Sequence, residues 1–229
     1  MELPVLLIEF ENVLAETAAL RRSALAESLA ADGIELTADL LVAAEGRTFE
    51  DSIVRIREAV GAPDDPTAID LSRLRAERHF AARLGKGITI PAQLRPALEK
   101  LSAVARLAVV TRAPRRDVEF VLQLARLEGM FRPVVTPDDT RTSKPSRAPY
   151  DAALSRVSEL FPGQLLRGVA VEDCVLGIRA AREAGLLTVL VGAHQPQDAM
   201  EADCWVESLA DFTPERLRLL LSPAVKGIG

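Results

Sequence analysis

Ile8-Glu9-Phe10-Glu11-Asn12-Val13-Leu14 closes an apolar run that opens at Pro4. A short continuous apolar run reads as a buried strand, and this one breaks into carboxylate, aromatic, carboxylate and a turn residue. Two acids, Glu9 and Glu11, therefore stand at the carboxyl end of the first strand. In an open α/β sheet that edge is where ligands bind. The rest of the chain reads as structure that supports, covers or completes this acidic tip.

Immediately after the tip the pattern turns helical. Residues 15–31 carry Leu20, Ala24, Leu25 and Leu29 at helical spacing and stop at Asp32-Gly33. Residues 36–44, 49–60 and 70–84 continue as helices, separated or ended by Gly46, the 61–66 stretch and Gly85-Lys86-Gly87. With no strand in this interval, residues 16–87 are expected to form an inserted helical cap domain. The core is then residues 1–15 and 88–229.

From Pro91 onward strands and helices alternate. Leu94, Leu98 and Leu101 mark a helix, 107–111 a strand, 117–127 a helix, 133–136 a short strand and 150–160 a helix. Residues 169–171 and 187–191 read as strands around a helix over 175–184 that Gly185 closes. Trp205-Val206 reads as an edge strand, followed by a helix over 215–221. Alternation of this kind predicts βαβ units, hence an α/β fold with a doubly wound parallel sheet.

Composition narrows the function classes. The chain is 48% hydrophobic and 27% charged, with a net charge of −5 and no basic block, which argues against a nucleic-acid partner. No stretch approaches a membrane span, and Glu2 precedes the first apolar run, unlike a signal peptide. Cys174 and Cys204 are too few for a disulfide framework and match no zinc spacing. The expectation is a reduced, cytoplasmic protein with no membrane partner.

Four stretches put polar groups just after a predicted strand: Glu9 and Glu11, Thr111 and Arg112, Lys144, and Glu172 and Asp173. A parallel sheet brings all four to one edge. Carboxylates, a hydroxyl and an ammonium together suit a divalent cation held by oxygens and a phosphate clamped beside it. Taken alone, Thr111 also reads as a cap for a helix starting at Ala113, and Asp173 as a cap for the helix starting at Val175.

These stretches, in this order, resemble the haloacid dehalogenase superfamily, in the branch of β-phosphoglucomutase and phosphoglycolate-phosphatase-like proteins. That branch reads Asp-Phe-Asp-Gly-Val-Leu where this chain has Glu9-Phe10-Glu11-Asn12-Val13-Leu14. Val109-Val110-Thr111 matches its second motif, Ser143-Lys144-Pro145 with Tyr150 its third, and Glu172-Asp173-Cys174 with Gly177-Ile178 its fourth. Gly46-Arg47-Thr48-Phe49-Glu50-Asp51-Ser52 resembles a substrate-facing loop of the helical cap.

The resemblance implies roles. Glu9 stands where the family has its nucleophile and Glu11 where it has its acid–base group. Thr111, Arg112 and Lys144 fall at phosphate-facing positions, and Arg47 at a substrate contact on the cap. Glu9, Glu11, Glu172 and Asp173 fall around a bound Mg2+. Both family aspartates, however, are glutamates here. One extra methylene moves a carboxylate by roughly 1 Å or more, which can cost on the order of 100-fold in rate. Arg21 stands where the sugar-phosphate mutases commonly have His, which disfavours mutase activity.

The expected function is a divergent phosphatase-family protein that binds a divalent metal and a small phosphorylated metabolite, with phosphohydrolase activity weak or lost. Two alternatives stand beside it. One is a non-catalytic binding or regulatory protein that holds a protein partner on the same scaffold. The other is an active phosphatase with a glutamate nucleophile.

Overall fold

A computed structural model describes residues 2–44, 47–140, 142, 144 and 146–222. Gly46, Ser143 and Pro145, quoted above for their motifs, lie outside these residues. The described chain divides into two compact units, Met1–Ala15 with Ile90–Gly229, and Glu16–Thr89.

The first unit is built on β1 (Glu2–Ile8), β2 (Arg106–Val110), β3 (Val134–Val135), β4 (Leu165–Glu172), β5 (Leu187–Val191) and β6 (Cys204–Val206). They form one sheet in the order β3-β2-β1-β4-β5-β6, with every neighbouring pair parallel. This is the doubly wound sheet expected from the alternation. Strand order reverses between β1 and β4, so the carboxyl ends of these two strands flank the switch point where such sheets open a crevice.

Val5 through Ile8 are wholly buried, as a strand covered on both faces must be. Val5 and Leu7 pack with Ala108, Val110 and Ala170 against Tyr150, Ala153 and Val157 of one helix and Ala180 and Ala181 of another. Their alternates Leu6 and Ile8 point to the opposite face.

The second unit contains α1 (Ala18–Ala30), α2 (Ala38–Ala44), α3 (Phe49–Ala59) and α4 (Pro66–Leu84). Its two ends meet, because the Glu16 N–H donates to the Thr89 carbonyl at 3.0 Å. Leu25, Leu29, Ile53, Ile56, Ala76 and Phe80 form its buried interior, with Phe49 set edge-on to Phe80 at 5.8 Å. The first unit adds α5 (Leu94–Ser102), α6 (Arg115–Leu124), α7 (Ala148–Leu160), α8 (Val175–Glu183), α9 (Pro196–Ala199) and α10 (Pro214–Leu221). No helix among the described residues is long and apolar enough to cross a membrane.

Two elements start a full four residues earlier than their sequence pattern indicates. Helix α4 begins at Pro66, not at residue 70, because Asp65 accepts from the N–H groups of Thr67 (2.9 Å) and Ala68 (3.3 Å). A proline that reads as a breaker is compatible with the first helical turn once its predecessor caps it. Strand β4 begins at Leu165, not at 169, since it pairs with β1 from Glu2 onward. Arg167 and Gly168 hide this in the sequence. In the structure Arg167 pairs with Glu2 at 3.0 Å, and a Cβ at residue 168 would come within 2.3 Å of Leu186.

Candidate active site

The site starts where β1 ends. Glu9, wholly buried, accepts at Oε1 from the backbone N–H groups of Phe10 (2.8 Å) and Glu11 (3.2 Å) and from the Thr111 hydroxyl. Its Oε2 accepts from Lys144 Nζ at 2.8 Å and lies 3.9 Å from Arg112 Nη2. Thr111 and Arg112 follow β2, the strand beside β1, and the parallel register delivers them to this edge. Glu11 is buried next to Glu9.

Lys144 is the centre of the cluster. Its ammonium has three donors, and three acceptors surround it: Glu9 Oε2 at 2.8 Å, the Val110 carbonyl at 2.8 Å and Glu172 Oε1 at 2.5 Å. The Tyr150 hydroxyl from α7 donates to the same Glu172 oxygen. A buried charge needs a partner of this kind, since its own desolvation costs several kcal/mol.

One ammonium between two carboxylates cannot satisfy both equally. Burial alone would raise the Glu9 pKa, but Lys144, then Arg112, and the hydrogen bonds reverse it and hold it at about 2. Glu172 goes the other way, to about 7: burial raises it, Lys144 offsets only part, and the Glu9 charge adds repulsion. Lys144 is raised despite its burial because both acids favour its charged form. Since Glu172 Oε1 already accepts two hydrogen bonds, an acid proton on this residue belongs on Oε2.

Glu172 Oε2 lies against Gly177 in the first turn of α8, where a Cβ would stand 1.9 Å from it. Alanine is ordinarily preferred to glycine inside a helix by about 1 kcal/mol. Gly177→Ala is expected to reverse that sign and cost about 1–3 kcal/mol, because Lys144 and Tyr150 keep the carboxylate from swinging aside. Urea denaturation checks it; a variant as stable as the wild type would show that Glu172 is not held.

Asp173 is half-buried, and its Oδ2 accepts from Asn12 Nδ2 at 2.7 Å. It does not cap α8: Cys174 is the N-cap residue and no side chain bonds there. Thr111 likewise does not cap a helix. Its oxygen accepts from the Ala113 N–H at 3.1 Å, which shapes a turn ahead of α6, whose N-cap is Pro114. Asn12 takes φ of 60° where glycine would be the default, and the same residue ties β1's tip to the end of β4.

The residues at the end of β4 fit a hard cation in part. The ligand atoms of Glu172, Asp173 and Cys174 lie within 4.8 Å of one another, and Asp173 Oδ1 is buried with no hydrogen-bond partner among the described residues. A carboxylate oxygen suits magnesium; the Cys174 thiol does not. Both cysteines are free. Both oxygens of Glu9, by contrast, already accept hydrogen bonds from protein donors.

Arg47 belongs to the helical unit, just before Thr48, the N-cap of α3. Its carbonyl accepts from Arg21 Nη2 at 2.5 Å, and the Arg21 guanidinium lies 4.1 Å from the centre of the Phe49 ring. Arg21 thus braces the loop that carries Arg47. Sequence reasoning missed this brace, the Asn12–Asp173 link and the contact of Gly177 with Glu172. Their only signal was membership of a motif.

The sequence model of the haloacid dehalogenase-like hydrolases matches residues 7–191, from the core of β1 to the end of β5. The chain belongs to that family. The protein CbbY of Cereibacter sphaeroides is 31% identical over 200 residues, 81% of this chain and 82% of that one. The crystal structure of CbbY from Rhodobacter sphaeroides in complex with phosphate superimposes with a TM-score of 0.74 at 25% identity, over 93% of this chain and 96% of that one. A mutant of that protein was crystallised with xylulose-(1,5)bisphosphate. The β-phosphoglucomutase of Clostridium difficile shares the fold, with a TM-score of 0.82 at 15% identity over 96% and 97% of the two chains.

Proposed function

We propose that this haloacid dehalogenase-like protein binds a small phosphorylated metabolite and a divalent cation at the β1–β4 edge, with phosphohydrolase activity weak or lost. The observation that carries it is the meeting of Thr111, Arg112 and Lys144 with two acidic strand ends in one buried cluster. The similar protein CbbY of Rhodobacter sphaeroides is crystallised with phosphate, which supports the ligand class. In this reading the helical unit is the cap and Arg47 its substrate contact.

Thr111, Arg112 and Lys144 hold the phosphoryl oxygens, and Glu11 exchanges the proton of the leaving oxygen. Asp173, with Glu172 beside it, would hold magnesium, which would supply charge stabilisation at this edge. Phosphoryl transfer depends mainly on positioning, so a nucleophile displaced by one methylene keeps its charge but loses its line of attack.

Thermal denaturation tests the binding. Magnesium and inorganic phosphate, each at a hundredfold excess over its Kd, are expected to stabilise by about 2.7 kcal/mol, a rise of several degrees. Asp173→Asn is expected to remove the magnesium effect. A panel of small phosphomonoesters with magnesium is expected to show turnover near background. Hydrolysis at ordinary family rates, abolished in Glu9→Ala, would overturn the loss of activity.

A further inference from the structure

We infer that the Glu9 carboxylate is itself the resident ligand of the oxyanion cradle, so that an external phosphate binds only by displacing this side chain. The inference rests on the phosphate-binding reading above and adds a built-in competitor to it.

The cradle is defined by its donors. Two consecutive backbone N–H groups, of Phe10 and Glu11, converge on Glu9 Oε1 at 2.8 and 3.2 Å, and the Thr111 hydroxyl adds a third donor to that atom. Lys144 Nζ supplies a fourth at 2.8 Å to Oε2, with Arg112 Nη2 at 3.9 Å. Successive backbone N–H groups facing one point form a concavity for an anion. Here the concavity already holds its anion. It is a side chain of the same chain, with no surface exposed to solvent.

A carboxylate accepts about four hydrogen bonds, so this donor set saturates Glu9. The same N–H and O–H groups cannot serve a phosphate while Glu9 holds them. Length decides the outcome, because the glutamate chain lets its terminal oxygens reach Thr111, just after β2, and Lys144, in the loop between β3 and α7. Aspartate, shorter by a methylene, would draw back from both. Lys144 and Arg112 keep the carboxylate ionised and so maintain its hold. A doubly charged oxyanion gains more from these two cations than a single carboxylate does, so displacement remains open to a phosphate.

Such self-occupancy lowers apparent affinity by the fraction of time the cradle is vacant. Calorimetric titration of the full chain with inorganic phosphate tests it, on wild type, Glu9→Ala, Glu9→Asp and Glu9→Ala/Lys144→Ala. Both single variants are expected to bind phosphate at least roughly tenfold tighter than wild type, and the double variant to lose the gain. Equal phosphate affinity in wild type and single variants, lost in the double variant, would overturn the self-occupancy and leave the phosphate reading standing. No binding by any of the proteins would overturn both. Should Glu9→Ala fail to fold, Glu9→Asp keeps the charge and still vacates the cradle.

Discussion

Lys144→Met is expected to cost about 3–5 kcal/mol, the usual loss when one partner of a buried ion pair is removed. That is a large share of the roughly 5–15 kcal/mol by which a domain is folded. Methionine fills much of the lysine's volume, so the loss reports charge and hydrogen bonds. Glu9 Oε2, Glu172 Oε1 and the Val110 carbonyl each lose a donor within 2.8 Å.

The deficit should also depend on pH, with a definite sign. Without the ammonium, burial raises the folded-state pKa of Glu172 further above its unfolded value of 4.5 than the present value of about 7. A group raised in this way contributes stability below its unfolded pKa and loses it as pH rises through the folded one. Lys144→Met should therefore be closest to wild type near pH 5 and furthest from it above pH 7. Urea denaturation followed by circular dichroism across that range measures it. A loss below about 1 kcal/mol at pH 7.5, in the range of an exposed ion pair, would show that Lys144 is not the centre of the cluster.

The second large effect is a gain. Glu9→Asp/Glu11→Asp is expected to raise phosphomonoesterase kcat/KM with magnesium by on the order of 100-fold or more. Shortening residue 9 should both withdraw its carboxylate from Thr111 and Lys144 and return it to the in-line position. Shortening residue 11 should do the same for the acid–base group. Groups that act as a unit are non-additive, so each single change should yield much less than the pair. An unchanged background rate would move the defect away from these positions. A wild type already active, and slowed by the double change, would instead establish glutamate as a working nucleophile.

Much of this arrangement can be read along the chain. The run ending at Ile8 is continuous enough to be a central strand, and later strands alternate with helices at regular intervals. A parallel sheet then obliges Glu9, Thr111, Lys144 and Glu172 to share one edge, whatever their side chains do. The helical interval after Ala15 is legible for the same reason, since a strand pattern is absent from it. Residue 66 reads as a breaker along the chain because a proline's meaning depends on whether the Asp65 side chain caps the turn that follows it.

What the amino-acid order determined by itself is therefore the scaffold, the family and the set of groups delivered to the β1–β4 edge. Hydrophobic periodicity and strand direction are properties of short stretches. Only the tertiary structure decided how those groups divide their bonds: that Lys144 bridges Glu9, 135 positions away, and Glu172, 28 positions away, and that Asn12 holds Asp173 across 161. It alone decided that one acid stays ionised to about pH 2 while the other keeps its proton to about pH 7. The physical reason is that burial and charge depend on distances of a few ångströms between distant residues, and such distances exist only once the sheet has closed around them.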